Sequence, residues 1–438
     1  MSDFRGDGEA ALEWVAGYLE RVGELPVASK VSPGEVRGKL SPSPPEQGEP
    51  FEAVLRDLDA AILPGITHWN HPRFFGYFAN TGSDPGILAE LIVAALNVNA
   101  MLWTTSPAAT EVEELALDWL AQLLGLPEGL HGHIDDTAST ATIVALAAAR
   151  ELRPGGHVLT SEHANFSVEK AARLLGVECR FVPVDGDYKM RVDALAKQIE
   201  GAAAVVPTAG TTSTTSVDPV REIAALCEQA GAWLHLDAAY AGSAALCEEL
   251  RWTLDGAELA DSIVINPHKW LFTPMDCSCF WTRRPEAVFR AFSASPEYMP
   301  EREGTVTDLK DYGPALGRRF RGLKLWAVLR CYGRDGLQSL IREHVRLAQL
   351  FASWIEEEPG WEIAAPHALS VVCFRLKGSD EDNAAILERV NRSGEAFLSQ
   401  TRLDGRLVLR LAVGNARTTE DDVRRAWAAL QDAVRSSP

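Results

Sequence analysis

The stretch Asp261-Ser-Ile-Val-Ile-Asn266-Pro-His268-Lys269-Trp270 decides how this chain folds. Its apolar residues predict a buried strand, and the strand delivers a histidine and a lysine. A second stretch, Trp233-Leu-His-Leu-Asp237-Ala-Ala-Tyr240-Ala-Gly-Ser, is also an apolar strand, and it ends in an acid followed by small residues. Either charged residue alone would be interpreted as a helix cap or a surface charge. Both together, in this order, indicate one reactive site.

An acid and a lysine at the ends of neighbouring strands suit the chemistry of pyridoxal 5'-phosphate. A lysine amine forms a Schiff base with the cofactor aldehyde. A carboxylate pairs with the protonated pyridine nitrogen, so that the ring can accept electrons. Lys269 and Asp237 are therefore candidate cofactor-binding and catalytic residues.

Between residues 155 and 285, short apolar strands alternate with amphipathic helices. The predicted strands are 157–160, 179–184, 202–207, 233–236 and 262–265, and the predicted helices are 168–175, 192–199 and 220–229. This alternation predicts an α/β fold with right-handed crossovers and a mostly parallel sheet, whose ligands bind beyond the carboxyl ends of the strands. Thr208, Asp237 and Lys269 each follow a strand, so we expect them to converge on one edge of the sheet.

The two ends of the chain do not alternate in this way. Residues 1–80 predict a helical arm with little core of its own, which we expect to pack on a partner subunit. Residues 81–315 form the predicted large domain, in which 297–316 lack any period and predict a mobile loop. Residues 316–438 predict a small α+β domain, with strands at 369–376 and 407–413 and helices at 382–400 and 419–434.

Composition excludes several classes of function. The chain has 438 residues and a net charge of −19, which argues against nucleic acid and anionic membranes as partners. No apolar run reaches the length of a membrane span, and no secretory leader is recognised, so we expect a cytoplasmic protein. The seven cysteines are scattered and odd in number, which favours reduced core thiols over a metal site. We predict no metal.

From about Pro64 to Trp326 the chain resembles the group II pyridoxal phosphate-dependent decarboxylases, most closely the aromatic L-amino-acid decarboxylase branch. The motifs that carry the resemblance are His68-Trp69, Tyr77-Phe78, Ser106-Pro107-Ala108, Thr137-Ala138-Ser139, Ser167-Val-Glu-Lys, Gly210-Thr-Thr, His235-Leu-Asp237-Ala-Ala-Tyr-Ala-Gly, Asn266-Pro-His-Lys269-Trp and Leu316-Gly-Arg-Arg-Phe-Arg. The resemblance implies the fold-type I, aspartate aminotransferase-like architecture. It also implies a small-molecule substrate, an aromatic L-amino acid, and a homodimer whose subunits share their active sites.

The resemblance also assigns roles to residues. It makes Lys269 the Schiff-base lysine and Asp237 the partner of the pyridine nitrogen. The other cofactor-binding residues that it implies are Ala138, Ser139 and His268 at the phosphate, Thr208 and Ala239 near the ring, and Asn165 and Asn266. The substrate-binding residues that it implies are Trp69, Tyr77, Phe78, Ala79 and Asn80, together with Asn99 and Met101 from the partner subunit.

Three departures from the family pattern bear on the product or on the preferred substrate. Asn165 stands where the family stacks a histidine on the ring, and His163 is an alternative two residues earlier. Leu309 stands where the count from Leu316 places a tyrosine that protonates the substrate carbon, with Tyr298 and Tyr312 as alternatives if the register differs. The pocket residues Ala79, Asn80, Asn99 and Met101 replace bulkier or more apolar types, which leaves the preferred amino acid open.

These departures leave three hypotheses. An amine-forming decarboxylase follows the family. An aldehyde synthase, in which oxygen takes the place of the proton, is favoured by Asn165 and Leu309 together. The third hypothesis is a catalytically silent cofactor-binding protein, against which the intact Lys269 and Asp237 count.

Overall fold

The computed structural model describes residues 3–78, 80–293 and 306–435. They belong to two compact units, of which the first comprises Met1–Ala79, Leu350–Ala364 and Phe374–Pro438 and the second Asn80–Gln349 and Ala365–Cys373. The helices are α1 Phe4–Arg21, α2 Glu35–Lys39, α3 Phe51–Asp57, α4 Asp84–Leu96, α5 Pro107–Leu124, α6 Ala138–Leu152, α7 Ser167–Leu174, α8 Val192–Ala196, α9 Val220–Ala230, α10 Pro267–Trp270, α11 Pro285–Phe292, α12 Arg321–Glu357, α13 Asp380–Ser393 and α14 Glu420–Arg435. The strands are β1 Phe74–Phe75, β2 His131–Asp135, β3 His157–Ser161, β4 Cys179–Val182, β5 Ala202–Val206, β6 Trp233–Asp237, β7 Ser262–Ile265, β8 Ser278–Thr282, β9 Trp361–Ile363, β10 Val371–Leu376, β11 Phe397–Leu403 and β12 Arg406–Ala412.

The second unit is built on a seven-stranded sheet in the order β2-β8-β7-β6-β5-β3-β4. Strands β7, β6, β5, β3 and β4 are parallel, and β8 runs antiparallel to both of its neighbours. Every residue of β3, β5, β6 and β7 is buried, as is typical of a parallel sheet covered on both faces. The mostly parallel α/β sheet predicted from the sequence is confirmed.

Helix α6 supplies much of the core of this unit. Its alanine-rich face includes Ala141, Val144 and Ala145, which belong to one buried cluster with Val264 of β7 and Phe280 of β8. Small side chains on this face let the helix approach closely, and the interior reaches the density of a folded core. The amino end of α6 is therefore held firmly relative to the strand ends.

The first unit contains a five-stranded sheet in the order β1-β11-β12-β10-β9. Strand β11 corrects the sequence prediction, which continued a helix from 382 to 400. Helix α13 ends at Ser393, and Gly394 follows it with φ of +84°. A glycine in this left-handed conformation ends a helix, and the chain then enters β11 at Phe397.

Strand β2 was not predicted, since the sequence His131-Gly-His-Ile-Asp is largely polar. It forms because β8 pairs with it along its whole length.

All seven cysteines are free thiols, and five of them are buried. Among the described residues, no helix combines the length and the apolar composition that crossing a membrane requires. The three-part division at residues 80 and 316 stays a prediction.

A buried ion pair ties α5 to β2 inside the second unit. Glu113 Oε1 accepts hydrogen bonds from Arg318 Nη2 at 2.8 Å and from the Ile134 N–H at 2.7 Å. Arg318 Nη2 also donates to the Ile134 carbonyl at 2.9 Å. The two charged side chains are only 3% and 1% exposed, so neither can be compensated by water.

The Glu113→Gln variant should lower the free energy of unfolding by on the order of 3 kcal/mol, because the Arg318 guanidinium then lies buried without a counter-charge. The midpoint of thermal or urea unfolding measures this loss. Glu249→Gln is the matched control, since the Glu249–Arg342 pair is about half exposed and contributes little. A Glu113→Gln midpoint that matches the control would contradict this account.

Candidate active site

The carboxyl ends of β6 and β7 bring Asp237 and Lys269 together. The two strands are parallel, and Asp237 lies opposite Val264 in the register. Lys269 follows β7 in the short helix α10, where its N–H donates to the Asn266 carbonyl at 2.9 Å. Burial shifts the pKa values of both Asp237 and Lys269, and the charge of each residue acts on the pKa of the other.

Burial and pairing act in opposite directions on these two groups. Burial raises the pKa of Asp237, while the Lys269 charge and a hydrogen bond from the Ala239 N–H at 3.1 Å lower it. Burial lowers the pKa of Lys269, while the charge of Asp237 raises it. Each group therefore favours the charged form of the other where burial alone would favour two neutral groups.

Thr208 lies beside Asp237 at the end of the neighbouring strand β5. The two residues form a parallel bridge, and the Thr208 N–H donates to Asp218 Oδ2 at 2.7 Å. Thr208 Oγ1 is buried and makes no hydrogen bond within the described part of the protein. A buried hydroxyl of this kind has capacity left for a polar group of a ligand. Asp218 was missed by the sequence analysis; it is buried, and burial raises its pKa to about 6.

His268 and Asn266 are fixed by the strand that follows them. His268 Nδ1 accepts a hydrogen bond from the Cys277 N–H at 3.0 Å, and Asn266 Oδ1 accepts one from Ser278 Oγ at 2.6 Å. Burial lowers the pKa of His268 to about 3, so its ring is neutral. Since Nδ1 is an acceptor, the ring proton lies on Nε2, which makes Nε2 a hydrogen-bond donor.

The amino end of α6 presents two backbone donors. Ala138 and Ser139 are the first residues of this 15-residue helix, and their N–H groups have no acceptor one turn earlier. The N-cap residue Thr137 makes no side-chain hydrogen bond to them. Free N–H groups and the helix dipole together favour a phosphate group at such a helix end.

The amide of Asn165 is held at both ends. Asn165 Nδ2 donates to Thr212 Oγ1 at 3.1 Å, and Asn165 Oδ1 accepts from the Ser167 N–H at 3.0 Å. Thr212 was not singled out from the sequence, although the run of hydroxyl residues after β5 was a signal. The ring of His163 lies 5.2 Å from that of Tyr188, a packing contact.

The segment 306–316 places Leu309 away from solvent. Leu309 is 1% exposed and begins a short 3₁₀ turn that ends at Tyr312. The next N–H, that of Lys310, donates to the Met101 carbonyl at 3.1 Å. The Tyr312 ring packs 4.2 Å from that of His131. Tyr298 and Ala79 lie outside the described residues.

The residues expected to bind substrate fall into both units. Trp69, Tyr77 and Phe78 belong to the first unit, where the rings of Trp69 and Tyr77 stack 5.7 Å apart. Asn80 and Asn99 belong to the second unit. Asn80 Nδ2 lies 3.5 Å from Met275 Sδ, and Asn99 Oδ1 accepts from the Arg318 N–H at 2.9 Å.

The second unit thus fits pyridoxal phosphate on four counts. It has a lysine with a lowered pKa, a buried carboxylate beside it, free N–H groups at a helix end and a buried hydroxyl without a partner. These groups can hold an aldehyde, a ring nitrogen, a phosphate and a ring substituent respectively.

Comparisons with known proteins agree with this fit. The family described as "Pyridoxal-dependent decarboxylase conserved domain" matches residues 33–154 and 155–377. Aromatic-L-amino-acid decarboxylase of Rattus norvegicus is 39% identical over 469 residues, covering 99% of this chain and 98% of the relative. Phenylacetaldehyde synthase of Arabidopsis thaliana is 38% identical, covering 97% and 92%. The crystal structure of Oryza sativa TDC with PLP and tryptamine has a TM-score of 0.96 at 37% identity, covering 99% and 98%.

The Asp237→Asn variant should lower the pKa of Lys269 further, because it removes the negative charge that opposes burial. Only the neutral amine attacks an aldehyde, so attachment of pyridoxal to the apoprotein should reach its maximal rate at a lower pH than in the wild type. Visible absorbance follows this attachment. Asp261→Asn, at the start of β7, is the control and should leave the profile in place. An Asp237→Asn profile that stays or moves to higher pH would contradict the pairing.

Proposed function

This chain belongs to the pyridoxal-dependent decarboxylase family, and we propose that it removes CO2 from an aromatic L-amino acid and releases the amine. The observation that carries the proposal is the buried Asp237 carboxylate beside Lys269 at the ends of adjacent parallel strands. The aromatic substrate is supported by the names of full-length relatives at 38–39% identity.

The bound cofactor supplies an electron-poor ring that takes up the electron pair left behind when CO2 departs. Lys269 would hold its aldehyde carbon, and Asp237 its ring nitrogen. Asp237 keeps a proton on that nitrogen, because a buried carboxylate is stabilised by an adjacent positive charge. The lowered pKa of Lys269 raises the share of neutral amine, which is the form that can bond to the cofactor aldehyde.

The phosphate would lie at the amino end of α6, held by the N–H groups of Ala138 and Ser139 and by His268 Nε2. The neutral His268 donates a hydrogen bond there without adding a second positive charge beside Lys269. Thr208 Oγ1 would take a polar substituent of the ring. Ala239 and Asn266 complete the proposed binding residues, and Ser278 keeps the Asn266 side chain oriented.

Amine formation requires a proton at the carbon that loses CO2. Leu309 has no proton to donate and is buried. Tyr312 packs on His131, and burial raises its pKa, which makes it a weaker acid. The other tyrosine between residues 294 and 316 is Tyr298. We therefore assign the proton donation to Tyr298, and Leu309 becomes a packing residue in this proposal.

Aldehyde formation is the second candidate function, and Asn165 favours it. An amide does not donate a proton at neutral pH as an imidazolium does, and both ends of this amide are already engaged. One amino acid, one O2 and one water would then give the aldehyde, CO2, ammonia and hydrogen peroxide. The similarity to phenylacetaldehyde synthase supports keeping this candidate.

Product analysis with L-phenylalanine or L-tryptophan, with and without air, tests the function. The wild type should release CO2 and amine in equal amounts. Tyr298→Phe should slow amine formation by about 10²–10⁴-fold, the usual contribution of a general acid. Asn165→His should reduce any aldehyde and peroxide. Tyr312→Phe is the control and should change neither product.

A wild type that gives stoichiometric aldehyde and peroxide in air would make the second candidate the function. Consumption of neither amino acid would contradict the aromatic substrate. An unaltered product in Tyr298→Phe would contradict the assignment of the proton donor alone.

We propose that the protein is a homodimer, as the family resemblance implies. Helix α4 supports this, because Leu88, Leu91, Ile92 and Leu96 lie at helical spacing and are between 49% and 60% exposed. A contiguous exposed apolar face of this kind marks an interaction surface. Asn99 and Met101, which follow α4, are the proposed contributions to the partner's site. The proposed compartment remains the cytoplasm.

Leu91→Glu should shift the mass in analytical ultracentrifugation from two chains towards one, since a charge is costly inside an apolar interface. Decarboxylase activity should fall in parallel. Leu259→Glu is the control, because Leu259 is exposed elsewhere on the same unit. Retention of the two-chain mass by Leu91→Glu would exclude α4 from the interface.

A further inference from the structure

Tyr77 has a backbone conformation that a tyrosine rarely adopts. Its φ is +54°, in the left-handed region where a side chain crowds its own backbone. Strand β1 ends at Phe75, and a Cβ added to the next residue, Gly76, would lie 2.7 Å from the Phe397 ring. A glycine with no room for a side chain is therefore followed by a tyrosine whose backbone is strained. Such strain persists only where the surroundings enforce it, and it concentrates at functional sites.

Two side chains on β11 and β12 enforce it here. The Tyr77 N–H donates to Ser399 Oγ at 3.1 Å, and Arg410 Nη1 donates to the Tyr77 carbonyl at 3.4 Å. Arg410 Nη1 also donates to Ser399 Oγ at 2.9 Å. Ser399 and Arg410 face each other in the register of the two strands, so the sheet fixes their spacing. We call these two residues the Ser399–Arg410 clamp.

The clamp is buried, whereas the ring that it positions is not. Ser399 and Arg410 are 7% and 3% exposed, while Tyr77 is 54% exposed. The Arg410 guanidinium carbon also lies 5.5 Å from the centre of the Phe78 ring, within cation–π distance. Burying a charge costs free energy, and hydrogen bonds such as these offset it only in part. Stability alone does not explain why a buried charge and a strained backbone are used to position an exposed ring.

The exposed ring of Tyr77 is itself ordered by a neighbour. It stacks on Trp69 with an angle of 12° between the rings, and Trp69 is also partly exposed. Trp69 in turn lies 4.5 Å from the buried Phe74 ring. The clamp therefore fixes one side of a preformed aromatic wall, and the core fixes the other.

We propose that Ser399 and Arg410 are positioning residues for substrate recognition, which hold Tyr77 and Phe78 in place against the aromatic side chain of the substrate. The proposal rests on the proposed substrate role of Trp69, Tyr77 and Phe78. Without the clamp, Tyr77 relaxes to a negative φ and its ring leaves the stack with Trp69. Binding of the aromatic side chain weakens, while the chemistry at Lys269 is untouched. KM then rises and kcat stays, the signature of lost ground-state binding.

A matched pair of variants isolates the clamp hydroxyl. Ser399→Thr and Ser399→Val add nearly the same volume, but only threonine retains an acceptor for Tyr77 and Arg410. With L-tryptophan and L-phenylalanine, KM should be about tenfold higher in Ser399→Val than in Ser399→Thr, as the loss of a buried hydrogen bond predicts. The kcat values of the two variants should agree within about twofold, and the visible spectra of the bound cofactor should be the same in both. Equal KM values in the two variants would overturn the proposal.

The Tyr77→Ala background separates positioning from a merely structural role. Ser399→Val should raise KM clearly in the wild type and much less in Tyr77→Ala, because one of the two rings that the clamp positions is already gone. An equal effect of Ser399→Val on KM in the wild type and in Tyr77→Ala would overturn the proposal. A loss of kcat that follows a loss of thermal stability would overturn it as well. A wild-type KM in Tyr77→Ala itself would instead refute the substrate role of Tyr77.

Arg410→Lys provides an independent route if Ser399→Val folds poorly. Lysine keeps the charge but lacks the guanidinium group, whose Nη1 reaches both oxygens and whose carbon lies over the Phe78 ring. KM should therefore rise and kcat should stay. Arg406→Lys, on the same strand and exposed, is the control and should leave KM unchanged. An Arg410→Lys enzyme with the KM of the control would contradict the clamp.

Discussion

The pairing of the buried Asp237 with Lys269 is the interaction on which the rest of the site depends. Burial favours the neutral form of each group, and each opposes that effect in the other. The pair forms only because β6 and β7 are parallel neighbours whose carboxyl ends lie at one edge of the sheet. An acid there can hold a ring nitrogen, and an amine there can hold an aldehyde. The amino end of α6 and Thr208 complete the proposed site. The charge of that site is determined by Asp237 and Lys269.

The residues proposed for substrate recognition and those proposed for cofactor binding belong to different units of the chain. The groups proposed to hold the cofactor belong to the second unit, and those that are buried are Thr208, Asp237, Ala239, Asn266 and His268. The aromatic wall of Trp69 and Tyr77 belongs to the first unit and is held by β11 and β12. Under this proposal, substitutions in the wall change the substrate preference and leave Asp237 and Lys269 as they are. Asn165 is the exception, because it is proposed both to bind the cofactor and to affect which product is released.

The sequence predicted the parts of the fold that follow a simple period. Apolar strands alternating with helices identified β5, β6 and β7, and so placed Thr208, Asp237 and Lys269 at one sheet edge. The sequence did not predict strand β2, because its polar residues are buried only through pairing with β8. Strand β11 differs from the predicted helix because Gly394, in the left-handed conformation, ends helix α13 before it. The clamp on Tyr77 could not be predicted, since it joins residues more than three hundred positions apart through a backbone angle that no period encodes.

Reduction of the purified protein with borohydride, followed by peptide mapping, tests the central claim most directly. The account predicts one pyridoxyl label, on the peptide that contains Lys269, and no label in Lys269→Arg. Asp237→Asn should bind the cofactor at the same lysine but lose several orders of magnitude in turnover, because a neutral amide cannot stabilise the charged ring nitrogen. A label on any other lysine, or an Asp237→Asn enzyme that keeps more than about a tenth of the wild-type rate, would contradict the account.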